Sequence, residues 1–275
     1  MINLRRGIDV SSYQGRIDWT KVKPFIDFAI IRCGYGNDLK SQDDVYYERN
    51  TQMCEELKIP YGVYLFSYAT NLDEARSEVE HTLRLIKGKH LEYPVFLDVE
   101  SKRQMALPKE DLIEIVKYYC EEMERNNYYV GIYSNLYRFN SNLDSTELDP
   151  FDKWVAEWNE EFTYKGKAGM WQNTSYEEIA GIKGRVDGDI AFYDYPKIIK
   201  DKGLNEEKEE SEPVKYKKGE NVFVSGPIYE DKEATHEIKS VKDAEFTIEE
   251  ILENVEAPIK ISEGYVKLTN IYKKC

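Results

Sequence analysis

From residue 7 to about residue 200, short apolar runs alternate with amphipathic stretches, and this alternation limits the possible folds more than any other feature. The run Phe28-Ala29-Ile30-Ile31-Arg32-Cys33-Gly34 ends in glycine and reads as a strand. Residues 61–66, 94–100 and 129–133 read the same way, and 153–156 and 169–172 supply two more. Between them, residues 44–57, 72–86 and 109–126 have helical spacing, with Asn71 placed to cap the second helix. Strands separated by helices on short links run parallel. Wrapped into a closed sheet they make a TIM-like (β/α) barrel, here an irregular one.

The pattern stops abruptly. Residues 202–213 carry almost no apolar side chain and cannot bury a face, so 201–214 reads as an acidic linker. Beyond it, 221–224, 246–248, 259–262 and 264–268 are β-like and separated by turn residues, as in a small all-β barrel. The expected organisation is therefore α/β: a barrel domain over 1–200, a linker over 201–214 and a β domain over 215–275.

Charge narrows the function. The chain has 38 basic and 52 acidic residues, a net charge of −14, which argues against a nucleic-acid partner. No apolar run approaches the ~18 residues of a membrane span. Residues 1–9 include Arg5 and Arg6 and lack an apolar core, so no Sec-type signal peptide is expected. Cys33, Cys54, Cys120 and Cys275 are widely spaced, without a zinc pattern, and read as free thiols, Cys275 an exposed one. His81, His90 and His236 form no metal constellation and read as surface residues. No metal or cofactor is expected.

Asp98-Val99-Glu100 ends an apolar strand. Residues i and i+2 of a strand share a face, roughly 6.5 Å apart. In a parallel barrel the C-terminal strand ends carry the active site. Two carboxyls there, one protonated and one ionised, are what glycoside cleavage requires. The competing reading is a solvated strand end paired with a basic residue. Asp9 ends the short strand of Gly7-Ile8-Asp9-Val10-Ser11, and Asp187 sits in Gly184-Arg185-Val186-Asp187-Gly188-Asp189. Alone, each reads as a cap or turn residue; together on one rim they form an acidic site. The 22 tyrosines, 13% aromatic residues overall, add sugar-binding potential, with Tyr35, Tyr64, Tyr68, Tyr133, Trp158 and Trp171 at expected strand ends.

Taken in order, these strings resemble glycoside hydrolase family 25, the Chalaropsis-type lysozymes. The likeness runs through Gly7-Ile8-Asp9-Val10-Ser11, Tyr13-Gln14-Gly15, Ile17-Asp18-Trp19 and 28–32. It continues through Asp44…Tyr47…Asn50, Gly62-Val63-Tyr64, Ala75…Glu78 and 94–100, and ends at 154–156, Trp171-Gln172 and Gly181-Ile182…Gly184…Val186-Asp187. It covers about residues 5–196.

The resemblance implies an irregular β/α barrel that hydrolyses the β-1,4 bond between N-acetylmuramic acid and N-acetylglucosamine in Gram-positive peptidoglycan. Glu100 is then the general acid/base, and Asp98 stabilises positive charge or orients the substrate's N-acetyl group. Asp9 and Asp187 complete the acidic rim, and Tyr64, Tyr133 and Trp171 line sugar subsites. Many members carry His after the tyrosine equivalent to Tyr64; this chain has Leu65.

Residues 216–224 and 264–266 resemble bacterial SH3-type wall-binding modules, with Tyr265 where those modules usually have Trp. Together the parts match a phage endolysin, held in the host cytoplasm until a holin releases it to the wall. The alternative from another class is a catalytically silent wall-binding or lectin-like barrel. A chitinase-type DxxDxDxE strand is excluded by Tyr93 and Phe96, and no zinc or Cys-His pair supports an amidase or peptidase.

Overall fold

A computed structural model describes residues 4–205, 216–252 and 255–272. The chain divides into two compact units, Met1–Lys208 and Glu209–Cys275.

The first unit is a closed barrel of eight strands: β1 (Arg5–Val10), β2 (Phe28–Tyr35), β3 (Tyr61–Phe66), β4 (Val95–Asp98), β5 (Val130–Asn135), β6 (Asp152–Ala156), β7 (Met170–Glu177) and β8 (Val186–Ala191). The helices are α1 (Trp19–Val22), α2 (Tyr47–Leu57), α3 (Leu72–Ile86), α4 (Lys102–Met105), α5 (Lys109–Arg125), α6 (Leu136–Phe139) and α7 (Tyr195–Lys202). Strands β1 to β7 pair in parallel, each with the next. The alternation fails after β6. Strand β8 is antiparallel to both β7 and β1. The eight-residue β7–β8 link holds no helix, and its glycines at 181 and 184 have positive φ. Such a link is too short for a crossover, so the chain turns back.

Period-two alternation divides each strand between two cores. Ile8, Val10, Ile31, Val63, Leu97, Ile132 and Val155 face outward, in one cluster with Tyr47 and Cys54 of α2 and Leu112, Val116 and Tyr119 of α5. Phe28, Ile30, Phe96, Trp154 and Met170 fill the inside. Inward glycines make room for the rings. A Cβ on Gly7 would lie 2.4 Å from the Phe28 ring, and one on Gly131 would lie 2.5 Å from Phe96. Helix α3 begins where expected: the Asn71 side chain accepts from Glu74 N at 2.9 Å.

Two expectations change. His81 is fully buried rather than on the surface; its Nδ1 lies 2.9 Å from the Gly36 carbonyl and its Nε2 2.9 Å from Asp43. Two polar partners let an imidazole sit in a core. The free thiols expected at Cys33, Cys54 and Cys120 are present and buried; Cys275, expected to be exposed, lies outside the described residues. Residues 201–205 belong to the barrel unit. Helix α7 runs to Lys202, and Gly203 ends it in the left-handed conformation. Asn205 is buried, donating to the carbonyls of Leu91 and Tyr93 and accepting from Tyr129 N. The linker expected over 201–214 thus starts inside the barrel unit, and its remaining residues lie outside those described.

The second unit is an antiparallel sheet of β9 (Asn221–Tyr229), β10 (Glu237–Thr247), β11 (Glu250–Ile251), β12 (Ile259–Ile261), β13 (Gly264–Val266) and β14 (Ile271–Tyr272). The order is β10-β9-β13-β12-β11, with β14 also on β9. Its core is aliphatic: Val222, Val224, Ile228, Ile248, Ile259, Ile261, Val266 and Ile271.

Candidate active site

A cleft of about 670 Å³ opens at the C-terminal ends of the parallel strands. Asp9, Asp98, Glu100 and Asp187 all line it, as do Tyr64 and Tyr133. The inward residues of β4 are Phe96 and Asp98, and Glu100 continues the same face one step past the strand end. Apolar alternation therefore places both carboxyls in the mouth.

Asp98 is the deeper of the two, only 4% exposed, and its Oδ1 is buried with no hydrogen-bond partner. Burial, then the Glu100 charge, lifts its pKa well above the usual carboxylate range, while Arg138 and Arg32 pull the other way. Glu100 is partly open to solvent. Burial raises its pKa too, opposed by Arg138, whose Nη1 stands 4.0 Å from Glu100 Oε2. Asp187 is raised to about 6, first by burial and then by Glu100. Asp9, opposite Asp187 in the β1–β8 ladder, is raised by burial and by Asp189 and Asp187. Burial and mutual repulsion push each of these acids toward its protonated form, the form a general acid requires.

Aromatic rings wall the cleft. Tyr133 packs 4.4 Å from Trp154, and Tyr64 packs edge-on to Trp154 at 5.9 Å. Tyr68 lies against Phe66 and Tyr35, and all three line the cavity. The loop presenting Tyr68 is pinned from below. Buried Glu78 of α3 accepts from Ser67 Oγ and Tyr68 N, both at 2.6 Å, and from Ala69 N at 3.0 Å. Burial lifts Glu78 to about 7 despite those three donors.

Trp171 is not part of the cleft. On β7 the inward residues are Met170 and Gln172, so Trp171 points outward; its Nε1 donates to the Glu157 carbonyl and its ring packs on Phe162. Its neighbour takes the inner place. Gln172 Nε2 donates to Asp9 Oδ2 at 2.8 Å, and its Oε1 accepts from Tyr133 OH and from Nε1 of the largely exposed Trp158, both at 3.0 Å.

Sequence reasoning assigned no role to Gln172, Arg32 or Arg138. Strand alternation could have shown the first two, since Arg32 follows Phe28 and Ile30 on the inner face. Arg32 donates to Asp44 Oδ2 through Nε and Nη2 at 2.9 and 2.8 Å, and to Ser12 Oγ at 2.7 Å. Arg138, on the short helix after β5, left no comparable signal.

A closed barrel whose mouth combines protonatable carboxyls with aromatic walls has the architecture and chemistry of a glycoside hydrolase. The chain belongs to glycosyl hydrolases family 25, which it matches over residues 8–182. Uncharacterized protein YegX of Escherichia coli strain CFT073 is 27% identical over 197 residues, covering 67% of this chain and 68% of that one. The modular autolysin LytC of Streptococcus pneumoniae, solved with a synthetic peptidoglycan ligand, is 31% identical with a TM-score of 0.61. That match covers 68% of this chain and 46% of LytC, so this chain spans less than half of the autolysin's length. The spore cortex lytic enzyme SleM of Clostridium perfringens shares 16% identity and a TM-score of 0.62 over 98% of this chain and 96% of its own, a likeness of fold alone.

Proposed function

We propose that this protein is an N-acetylmuramidase, cutting the β-1,4 bond between N-acetylmuramic acid and N-acetylglucosamine in peptidoglycan. The observation that carries the reading is the pair on β4: Glu100 half-open at the mouth, and Asp98 beneath it with an unpartnered oxygen. Glu100 protonates the leaving oxygen and then activates water. Asp98 Oδ1 is the acceptor that a substrate N-acetyl N–H would fill. That donor, and the positive charge developing beside it, draw Asp98 to its ionised form. Asp9 and Asp187 complete the acidic rim, and Tyr64 and Tyr133 flank the sugars. The pneumococcal relative solved with a peptidoglycan ligand supports this substrate class.

Glu100→Gln should abolish release of reducing sugar ends from purified Gram-positive wall and leave the fold intact. Wild-type turnover in that variant removes Glu100 from the role. A lectin-like, silent barrel is the second reading, and two adjacent protonatable carboxyls disfavour it.

The β unit is proposed as an SH3-like wall anchor, which would raise the local concentration of polymer at the barrel. Deleting Glu209–Cys275 should then cut pelleting with wall fragments while sparing turnover of small soluble glycans; equal pelleting refutes the anchor. The same plan describes an endolysin that waits in a host cytoplasm for a holin, an ordering that cell fractionation before and after lysis tests.

A further inference from the structure

The floor of the cleft holds a second carboxyl pair with one atom unaccounted for. Asp189 on β8 is 2% exposed. Trp154 Nε1 donates to its Oδ1 at 2.8 Å, but its Oδ2 is buried without a partner. Asp9 takes the Gln172 bond on Oδ2 and is 6% exposed.

The ladders bring these two acids together. Against β1, Asp187 lies opposite Asp9 and Asp189 lies opposite Gly7. Against β7, Asp189 lies opposite Gln172, the residue that also holds Asp9. Inward side chains diagonal to one another in an antiparallel pair are within reach, and Gly7 places nothing between them. The two buried carboxyls sit close enough for each to act on the other's titration. Ionised carboxylates only accept, so a bond between two acids requires a proton on one.

We propose that Asp9 and Asp189 share one proton through the otherwise orphaned Asp189 Oδ2, making Asp189 a positioning residue that fixes the Asp9 carboxyl toward the cleft. Its activity arm rests on the glycosidase reading; the proton itself does not. Asp9 shares the cleft lining with Arg32 on β2, Tyr64 on β3, Asp98 and Glu100 at the end of β4, Tyr133 on β5, Trp154 on β6, Gln172 on β7 and Asp187 on β8, and Trp154 also bonds Asp189. The charges of Asp98 and Asp187 oppose full ionisation of the pair, and the Gln172 bond favours Asp9 as its ionised, accepting member. Arg32, the cation among the lining residues, is already engaged by Asp44. With the proton in place the floor carries one negative charge and Asp9 has two fixed donors. When the pair loses it at high pH, the carboxylates repel and Asp9 is released.

The test pairs a spectroscopic readout with two variants of the full chain. With carbon-13 at aspartate Cγ, wild type should show a protonated carboxyl near pH 7 that disappears in both Asp189→Asn and Asp9→Asn. Both carboxyls ionised near pH 7 overturn the proposal, whether or not the protein cuts glycan.

In the activity arm, an asparagine amide at 189 can still donate to Asp9, and leucine cannot. Asp189→Asn should therefore keep at least about tenfold more kcat than Asp189→Leu, the difference worth one hydrogen bond to a charged group. Its alkaline limb should move up by about one pH unit, because the donor no longer titrates. Equal losses in the two variants, or an Asn profile superimposed on wild type, contradict the positioning role. A wild-type protein that cuts no glycan yet shows the shared proton refutes the glycosidase reading alone.

Discussion

The two units bury different chemistry. The barrel encloses carboxyls, an imidazole, an ammonium and several amides; Asp9, Glu78, His81, Asp98, Lys153, Gln172 and Asp189 are all buried there. Among the described residues of the β unit, every buried side chain is apolar. Size explains the contrast. A domain of about 200 residues buries a larger share of its surface than one of about 65, so it can absorb the desolvation of groups held for chemistry. The small sheet has no such margin and spends its interior on Val and Ile. Function needing buried charge belongs in the barrel, and function needing only an exposed face can belong in the sheet.

Core truncation sharpens that contrast most. Phe96→Ala removes a ring from inside the barrel and should cost about 3–5 kcal/mol. Ile259→Ala should cost about 2–5 kcal/mol in the β unit, enough to unfold a domain whose core is eight aliphatic side chains. Calorimetry should show the first lowering the barrel transition alone and the second removing the smaller transition while the barrel melts as before. A single merged transition in both would make the units one cooperative body.

Asp98→Asn comes next. It keeps the shape and removes a fixed negative charge where positive charge develops, so kcat should fall about 10²–10³-fold. The melting temperature should hold or rise, since the carboxyl is buried with an unpartnered oxygen. Loss of fold with loss of rate would make the residue structural.

Glu78→Gln gives the smallest effect. An amide cannot accept from all three of its donors, so one is left unpaired at a cost of about 1–3 kcal/mol. The pH dependence should change as well. Glu78 titrates near 7 in the fold, above its ordinary 4.5. Between those values the folded state holds a proton that the unfolded chain has released, so stability declines as pH rises through that window. Glu78→Gln should flatten that decline in denaturant titrations from pH 4.5 to 7; an unaltered slope would show that other acids set it.

Legibility in the sequence followed the local signals. The strands and the three long helices up to residue 156 were plain because apolar periodicity is set by neighbouring residues; the one-turn helices α1, α4 and α6 are too short to show a period. Asp98 and Glu100 were plain because two residues on one strand share a face whatever surrounds them. Strand β8 escaped because Val186-Asp187-Gly188-Asp189 carries charges inward and reads as a turn; only the barrel around it makes a strand. Trp171 was chosen for its chemistry, while strand alternation, visible in the same residues, had assigned the inner place to Gln172. Of strand β10, Glu237–Thr247, only the end at Phe246-Thr247 was read, because most of the side chains before it are exposed and polar. His81 escaped because its burial depends on Asp43 and Gly36, far from it in sequence.

The most direct test of the account is which bond is cut. Purified Gram-positive peptidoglycan digested by the protein, reduced with borohydride and analysed by mass spectrometry should carry its new reduced ends on N-acetylmuramic acid, and digestion with Glu100→Gln should yield none. New ends on N-acetylglucosamine, or freed amines and peptides without new sugar ends, would contradict it.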